Sequence, residues 1–268
     1  MSQLAVPLTN GGPPSAEDYW AIAEPSPRRV RVVFAGETIA DSRRVMLFRE
    51  RGHLPVYYFP RGDVRTDLLV PSGRTETDAQ KGTATFWNVR AGSRVAEQGA
   101  WRFNAGTPQW PEMSEYIAFD WPSMDAWYEE DEEVFVHPRD PYKRVDVLAS
   151  TRHVRVVLGG VTVADSHRPR LLFETGLPTR YYLPPEDVRL DLLHPTDTHT
   201  RCPYKGIASY WSVRVGDQTF DDIVWSYPEP IPECPKVAGL LCFFNERVDA
   251  LYVDEELQPR PKTRWSRD

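Results

Sequence analysis

Two ionisable sets with one spacing recur in this chain. Glu50, Asp63, Asp67 and Lys81 are followed by Glu174, Asp187, Asp191 and Lys205, each 124 residues later (174 − 50 = 124). A lysine beside a carboxylate in a partly apolar setting could act as an acid/base pair, because burial and an opposite charge both move pKa values. It could equally orient a polar ligand or pair across a sheet. The aspartates have a plainer alternative, since Asp commonly caps loops and fixes register through ion pairs. Aromatic residues repeat beside the charged ones: Tyr58, Trp87 and Trp101 in the first copy, and Tyr182, Trp211, Trp225 and Tyr227 in the second. Rings with a few polar groups are what line small-molecule clefts, and they can also hold a cation. For any single Trp the alternative is plain hydrophobic core. The set as a whole points to a cleft, because one small β-domain rarely needs that many amphipathic aromatics only to fill its interior.

Other donors are less regular. His194, His199, Cys202 and Cys234 lie in one neighbourhood of sequence, but the aligned positions of the first copy hold Val70, Thr75, Asp78 and Trp110. Irregular spacing in one copy only does not predict a metal site. No His is tied to Cys202 by a recognisable motif, so it is not predicted to be a nucleophile. The acidic run Glu129-Glu130-Asp131-Glu132-Glu133 reads as a solvated domain end.

The elements that must position these residues are also duplicated. Val30-Arg31-Val32-Val33-Phe34 and Thr38-Ile39-Ala40 flank Gly36, and residues 152–166 repeat the pattern around Gly159-Gly160, so each copy should open with a hairpin. Short strands follow over Leu47-Phe48-Arg49-Glu50 and Val56-Tyr57-Tyr58-Phe59. Residues 61–69 and 186–193 read as one helical turn or a strand, leaning towards strand, 71–80 and 195–204 towards polar loop, and 16–23 towards a short helix. From Lys81-Gly82 the chain alternates as a half-buried strand, placing Thr83, Thr85, Trp87 and Val89 on one face. Many short strands with Gly and Pro turns indicate an all-β protein of two tandem compact antiparallel domains with few short helices. The expected division is a lead-in over 1–28, domains over 29–133 and 154–256, an ordered linker over 134–153, and a tail over 257–268 that frays.

Composition bounds the partners. With 32 basic against 39 acidic residues the formal net charge is −7, too acidic for general phosphate-backbone binding, so no nucleic acid is expected. No apolar run approaches a membrane span, and the first residues have neither a basic nor an apolar leader region, which makes a cytoplasmic location the expectation. Three cysteines, all in the second copy, argue against a disulfide framework. No Gly-rich phosphate loop follows a strand, and the sequence identifies no cofactor. Oligomeric state stays open.

Thr200-x-Cys202-Pro203-Tyr204-Lys205-Gly206-x-Ala208-x-Tyr210 resembles the signature of a bacterial and fungal group, the domain of unknown function family 427, whose members often carry two copies. The resemblance covers about residues 29–133 and 154–256. The first copy departs from it, with Thr77-Asp78-Ala79-Gln80 where Cys-Pro-Tyr is expected. What the resemblance implies is a fold similar to the β-tent, two antiparallel sheets meeting at an angle over a cleft. Related tent domains bind small ligands in aromatic cages or reduce methionine sulfoxide, and many hold zinc through two Cys-x-x-Cys pairs. This chain lacks those pairs, and with them the zinc ligands and the reductase nucleophile. A nucleotidyltransferase label also attached to the family finds no Gly-Ser motif followed by paired aspartates here.

Three functions are compatible with these residues. The first is a small-molecule binding module in each domain, with Lys205 and Asp187 or Asp191 orienting the ligand. The second is an enzyme using Lys205 with Glu174 or Asp191 in acid/base or transfer chemistry. The third is a structural or partner-binding tandem.

Overall fold

The computed structural model describes residues 19–267, which divide into two compact units between Arg139 and Asp140. In unit 1 the strands are β1 (Ala21–Pro25), β2 (Val30–Phe34), β3 (Glu37–Ser42), β4 (Met46–Glu50), β5 (Val56–Pro60), β6 (Leu69–Asp78), β7 (Gly82–Ala91), β8 (Arg94–Phe103), β9 (Tyr116–Phe119), β10 (Ala126–Glu129) and β11 (Glu132–Glu133). Unit 2 repeats them as β12 (Val145–Ala149), β13 (Val154–Leu158), β14 (Val161–Ser166), β15 (Arg170–Glu174), β16 (Arg180–Leu183), β17 (Leu193–Cys202), β18 (Gly206–Val215), β19 (Gln218–Ser226), β20 (Leu241–Phe243), β21 (Ala250–Val253) and β22 (Glu256–Leu257). The architecture is all-β, in two tandem units.

Each unit holds a seven-stranded and a four-stranded antiparallel sheet. The orders are β1-β4-β5-β9-β8-β7-β6 with β11-β10-β2-β3, and β12-β15-β16-β20-β19-β18-β17 with β14-β13-β21-β22. Alternation along each strand gives the large sheet two apolar faces. In unit 1, Tyr57 and Phe59 face the small sheet and pack with Val30, Val32, Phe119 and Trp127. Tyr58 points the other way and packs with Phe48, Phe86, Trp101, Trp110 and Met113. Sheets covered on both faces account for the unusual number of aromatics, because each face needs its own core.

Several local expectations are corrected. Residues 16–18 of the expected short helix lie outside the described residues, and Ala21–Pro25 is an edge strand paired with β4. Of the two readings for residues 61–69 and 186–193 the helical one is the nearer: the chain makes paired 3-10 turns, Arg61–Asp63 with Thr66–Leu68 and Pro185–Asp187 with Leu190–Leu192, before β6 and β17 begin at Leu69 and Leu193. Pro60 and Pro184, with φ near −53° and −57°, bring the chain into the first turn. The polar stretches after Pro71 and Pro195 are long strands, β6 and β17, rather than loops. Both lie at a sheet edge and carry a register shift just after the proline, where a missing N–H costs no ladder bond. The tail does not fray from residue 258: Thr263 Oγ1 donates to Glu246 Oε1 at 2.6 Å and Trp265 packs against the unit 2 core.

The loop from β8 to β9 turns back through Thr107 and Trp110, whose backbones bond each other, and delivers Trp110 and Met113 onto the second face. Gly106 makes this possible, because a Cβ there would lie 1.8 Å from the Pro111 carbonyl oxygen. Gly106→Ala is therefore expected to destabilise unit 1 by about 3 kcal/mol, the upper end for overpacking. A urea melt followed by tryptophan fluorescence checks this, and a wild-type midpoint would contradict it.

Candidate functional site: a buried lysine and carboxylate in each unit

Lys81 ends the β6–β7 turn and Lys205 the β17–β18 turn, and each long hairpin brings its lysine back over the sheet to the last residue of β4 or β15. Lys81 Nζ donates to both oxygens of Glu50 at 2.8 and 2.6 Å. Lys205 Nζ donates to Glu174 Oε2 at 2.5 Å. All four residues are buried. Gly206, at φ +105°, lets the chain turn beside Lys205, since the left-handed region is costly for any other residue.

The surroundings of the two pairs carry opposite charge. In unit 1 the further partners are Tyr19, whose hydroxyl donates to Glu50 Oε2 at 2.9 Å, and Asp78, whose carboxylate is 3.1 Å from Lys81. In unit 2 Lys143 approaches Glu174 Oε1 at 3.2 Å, and Cys202 stands where unit 1 has Asp78. Tyr19 and Lys143 are themselves aligned (143 − 19 = 124). Glu50, Asp78 and Lys81 sum to −1, whereas Glu174, Lys205 and Lys143 sum to +1. Two exchanges, Asp78 for Cys202 and Tyr19 for Lys143, together invert the charge of the group while keeping its frame.

These charges set the protonation states. Burial pushes the Glu174 carboxyl up, but Lys205 and Lys143 outweigh it and hold it below the ordinary carboxylate range. For Lys205 burial pulls the ammonium down, yet Cys202 and Glu174 outweigh it and leave its pKa raised. A lysine held as ammonium orients and neutralises anions but is a poor base or nucleophile.

Each unit also buries a pair of aromatic rings. Tyr58 and Trp101 meet edge to face, and the Trp101 indole N–H donates to the Tyr58 hydroxyl at 3.3 Å. Tyr182 and Trp225 repeat this at 3.1 Å. Burial drives the Tyr58 and Tyr182 phenols far above their usual range. Tyr58, Trp101, Tyr182, Trp225 and Tyr227 are all under a tenth exposed, because the chain covers its own rings. Trp110 and Met113 do so in unit 1, and Cys234, Val237 and Phe244 join the same core in unit 2.

The remaining sequence-derived residues lie elsewhere. Trp87 and Trp211 sit in β7 and β18 with the opposite parity. The residues in register with Tyr58 are Ala118, Trp101 and Phe86, and those in register with Tyr182 are Cys242, Trp225 and Tyr210. Trp87 therefore packs towards the small sheet, half-buried. Asp63 accepts from Ser42 Oγ at 2.6 Å and pairs with Arg44, and Asp187 does the same with Ser166 and Arg168. Asp67 and Asp191 each grip the arginine two residues before them, Arg65 and Arg189. Asp63 and Asp187 tie turns to strands, Asp67 and Asp191 pair within their own turns, and none is bonded to the lysines.

Sequence reasoning missed Lys143, which lies in the linker, and the pair Arg180–Glu246. Arg180 donates through both terminal nitrogens to Glu246 at 2.6 Å, between Trp225, Phe244 and Trp265. The available signal was an arginine opening the strand Arg180-Tyr181-Tyr182-Leu183 where the first copy has Val56.

A surface depression of about 310 Å³ opens beside Glu174, bordered by Arg144, Asp146, Phe173, Thr175, Leu177 and Thr179. A wider one of about 590 Å³ lies at the far hairpin ends, around Gly159, Phe220 and Asp249. Lys205, Tyr182 and Trp211 border neither. Among the described residues no helix is long and apolar enough to cross a membrane.

Fold and site together define a tandem all-β protein with a buried lysine–carboxylate group in each unit. The family described as a domain of unknown function (DUF427) matches residues 22–130 and again 146–254, and the chain belongs to it. No curated protein matches the chain.

Proposed function

We propose that the units are small-molecule binding modules, each recognising its ligand at the rim of the lysine–carboxylate group, and that unit 2 takes a small metabolite bearing an anionic group. The observation that carries this reading is the depression whose inner wall is Glu174, a carboxylate already clamped by two ammonium groups. Its size falls at the lower end of ligand sites. Phe173 and Leu177 offer apolar surface there, Thr175 and Thr179 offer hydroxyls, Arg144 borders it paired with Asp146, and Lys143 reaches it only through Glu174. In unit 1 the group carries net negative charge, which favours a cationic or neutral ligand instead.

The buried contact of Lys205 with Glu174 favours the binding reading over one in which Lys205 is a base or nucleophile. An ammonium engaged by Glu174 has no free lone pair for base or nucleophilic chemistry.

A thermal-shift screen of small metabolites grouped by charge tests the proposal on the full chain. Carboxylate-bearing compounds are expected to raise the unit 2 midpoint. Lys143→Ala, at a partly exposed position, should weaken the best of them about 10-fold, equivalent to about 1.4 kcal/mol. A screen in which no compound binds, or in which Lys143→Ala binds the hit as well as wild type, would sink the idea.

A further inference from the structure

The outer face of the β13–β14 hairpin gathers three donor side chains far from the lysine–carboxylate group. Val154 pairs with Ser166 in this hairpin, so His153 stands opposite His167 one step further out. Asp165 is two residues before His167 and therefore shares its face. The two imidazole rings stack at 4.1 Å between centroids with an interplanar angle of 15°. The Asp165 Oδ1 atom lies 2.7 Å from His153 Nε2. One ligand atom from each of His153, Asp165 and His167 lies within 4.8 Å of the others.

We propose that His153, Asp165 and His167 form a site for a divalent transition-metal ion of the zinc class. Zinc binds imidazole nitrogen and carboxylate oxygen at about 2.0–2.2 Å, which sets donors on a shared ion about 3.3 Å apart. Asp165 and His167 are exposed and His153 is partly buried, so the first two side chains can turn towards His153 without moving a strand. Two imidazoles and one carboxylate suit zinc, cobalt or nickel better than the oxygen-seeking calcium and magnesium. Water fills the fourth position.

A second observation concerns the other face of His153. Its Nδ1 lies 2.6 Å from Glu255 Oε1, in the turn between β21 and β22. A carboxylate that accepts from one ring nitrogen fixes the tautomer and turns the other towards a metal, the arrangement that supports many histidine ligands. Glu255 is thus a positioning residue for His153 Nε2.

Unit 1 supplies a comparison within the same chain. The positions aligned with His153, Asp165 and His167 hold Arg29, Asp41 and Arg43, and Arg29 Nε donates to Asp41 at 2.7 Å. A guanidinium has no lone pair for a metal, so unit 1 keeps a simple ion pair at this place. Unit 2 retains the aspartate and exchanges both arginines for the side chains that ligate metals most often.

The test uses the full chain, prepared without a histidine tag and stripped with chelator. Titration with Co²⁺, followed by its visible absorption, and with Zn²⁺ by calorimetry should show one saturable ion per chain. His153→Gln and His167→Gln should each weaken binding by at least about 10-fold and abolish the cobalt band. Glu255→Gln should weaken it about 10-fold, as loss of such a supporting carboxylate does. Because these positions lie outside the core, circular dichroism of the variants should match wild type. Absence of saturable binding overturns the proposal, and so does one-ion binding that survives both histidine substitutions, which would place the ion elsewhere, for example near Cys202 and Cys234.

Discussion

Arg180→Met is expected to destabilise unit 2 by about 3–5 kcal/mol, the cost of leaving one partner of a buried ion pair alone. Glu246 is fully buried and Arg180 nearly so, and their two 2.6 Å hydrogen bonds satisfy the carboxylate together with Thr263. Methionine keeps most of the apolar contact with Trp225, Phe244 and Trp265 but offers no donor. The pH dependence follows from the same geometry. Burial pushes the Glu246 carboxyl up, and the Arg180 bonds and charge outweigh this, so its pKa lies below the ordinary value of 4.5. A depressed carboxyl contributes stability that is present above its unfolded pKa and is lost as pH falls through the folded one. In Arg180→Met burial is opposed only by the Thr263 and backbone hydrogen bonds, so the carboxyl is pushed up relative to wild type. The variant should therefore be furthest from wild type at neutral pH and recover part of the difference on acidification. Urea melts of unit 2 at neutral and acid pH measure this, and a deficit that does not change with pH would contradict it.

Lys81→Met should cost unit 1 about 3–5 kcal/mol, and Lys205→Met should cost unit 2 less. The two lysines are equivalent by position, but what remains after their removal differs. Without Lys81, Glu50 keeps the Tyr19 hydroxyl and stands near Asp78, two carboxylates in one buried neighbourhood. One of them must take up a proton, because like charges that close do not both ionise. Without Lys205, Glu174 keeps Lys143 at 3.2 Å. Differential scanning calorimetry of both variants settles the order, and a larger loss for Lys205→Met would refute the charge assignment of the two groups. Adding Glu50→Gln to Lys81→Met should restore part of the loss, since it removes the orphaned charge.

Both ion pairs of the site were legible in the sequence because they are local in one respect: each joins residues 31 positions apart, and the duplication shows that spacing twice. The hairpins and the β7 and β18 strands were legible for the same reason, through alternation repeated in two copies. What escaped was governed by parity and by coverage. Trp87 and Trp211 are next in sequence to Phe86 and Tyr210, yet it is the latter that face Tyr58 and Tyr182. One residue changes the face of a strand, and a list of aromatics cannot show it. Coverage is a property of loops: Trp110 and Met113 reach the rings only because Gly106 accepts the close approach of Pro111. Pro71 and Pro195 concealed β6 and β17, since a proline reads as a break unless the strand is known to be an edge. Lys143 was hidden because it lies in a stretch read as linker, although its alignment with Tyr19 places it on the same carboxylate.

The duplication therefore keeps a frame while changing the charge held inside it. A buried ion pair is weak support for stability, since apolar residues of similar volume often do as well. Its presence in both copies, with opposite net charge around it, is what the proposed binding role rests on.

Amide chemical-shift mapping of unit 2 in the full chain, titrated with the best anionic compound from the metabolite screen, tests this most directly. Shifts should concentrate at residues 143–146, 173–179 and 205 and disappear in Glu174→Gln together with Lys143→Ala. Shifts confined to the wider depression around Phe220, or none in either region, would contradict a ligand site at the lysine–carboxylate group.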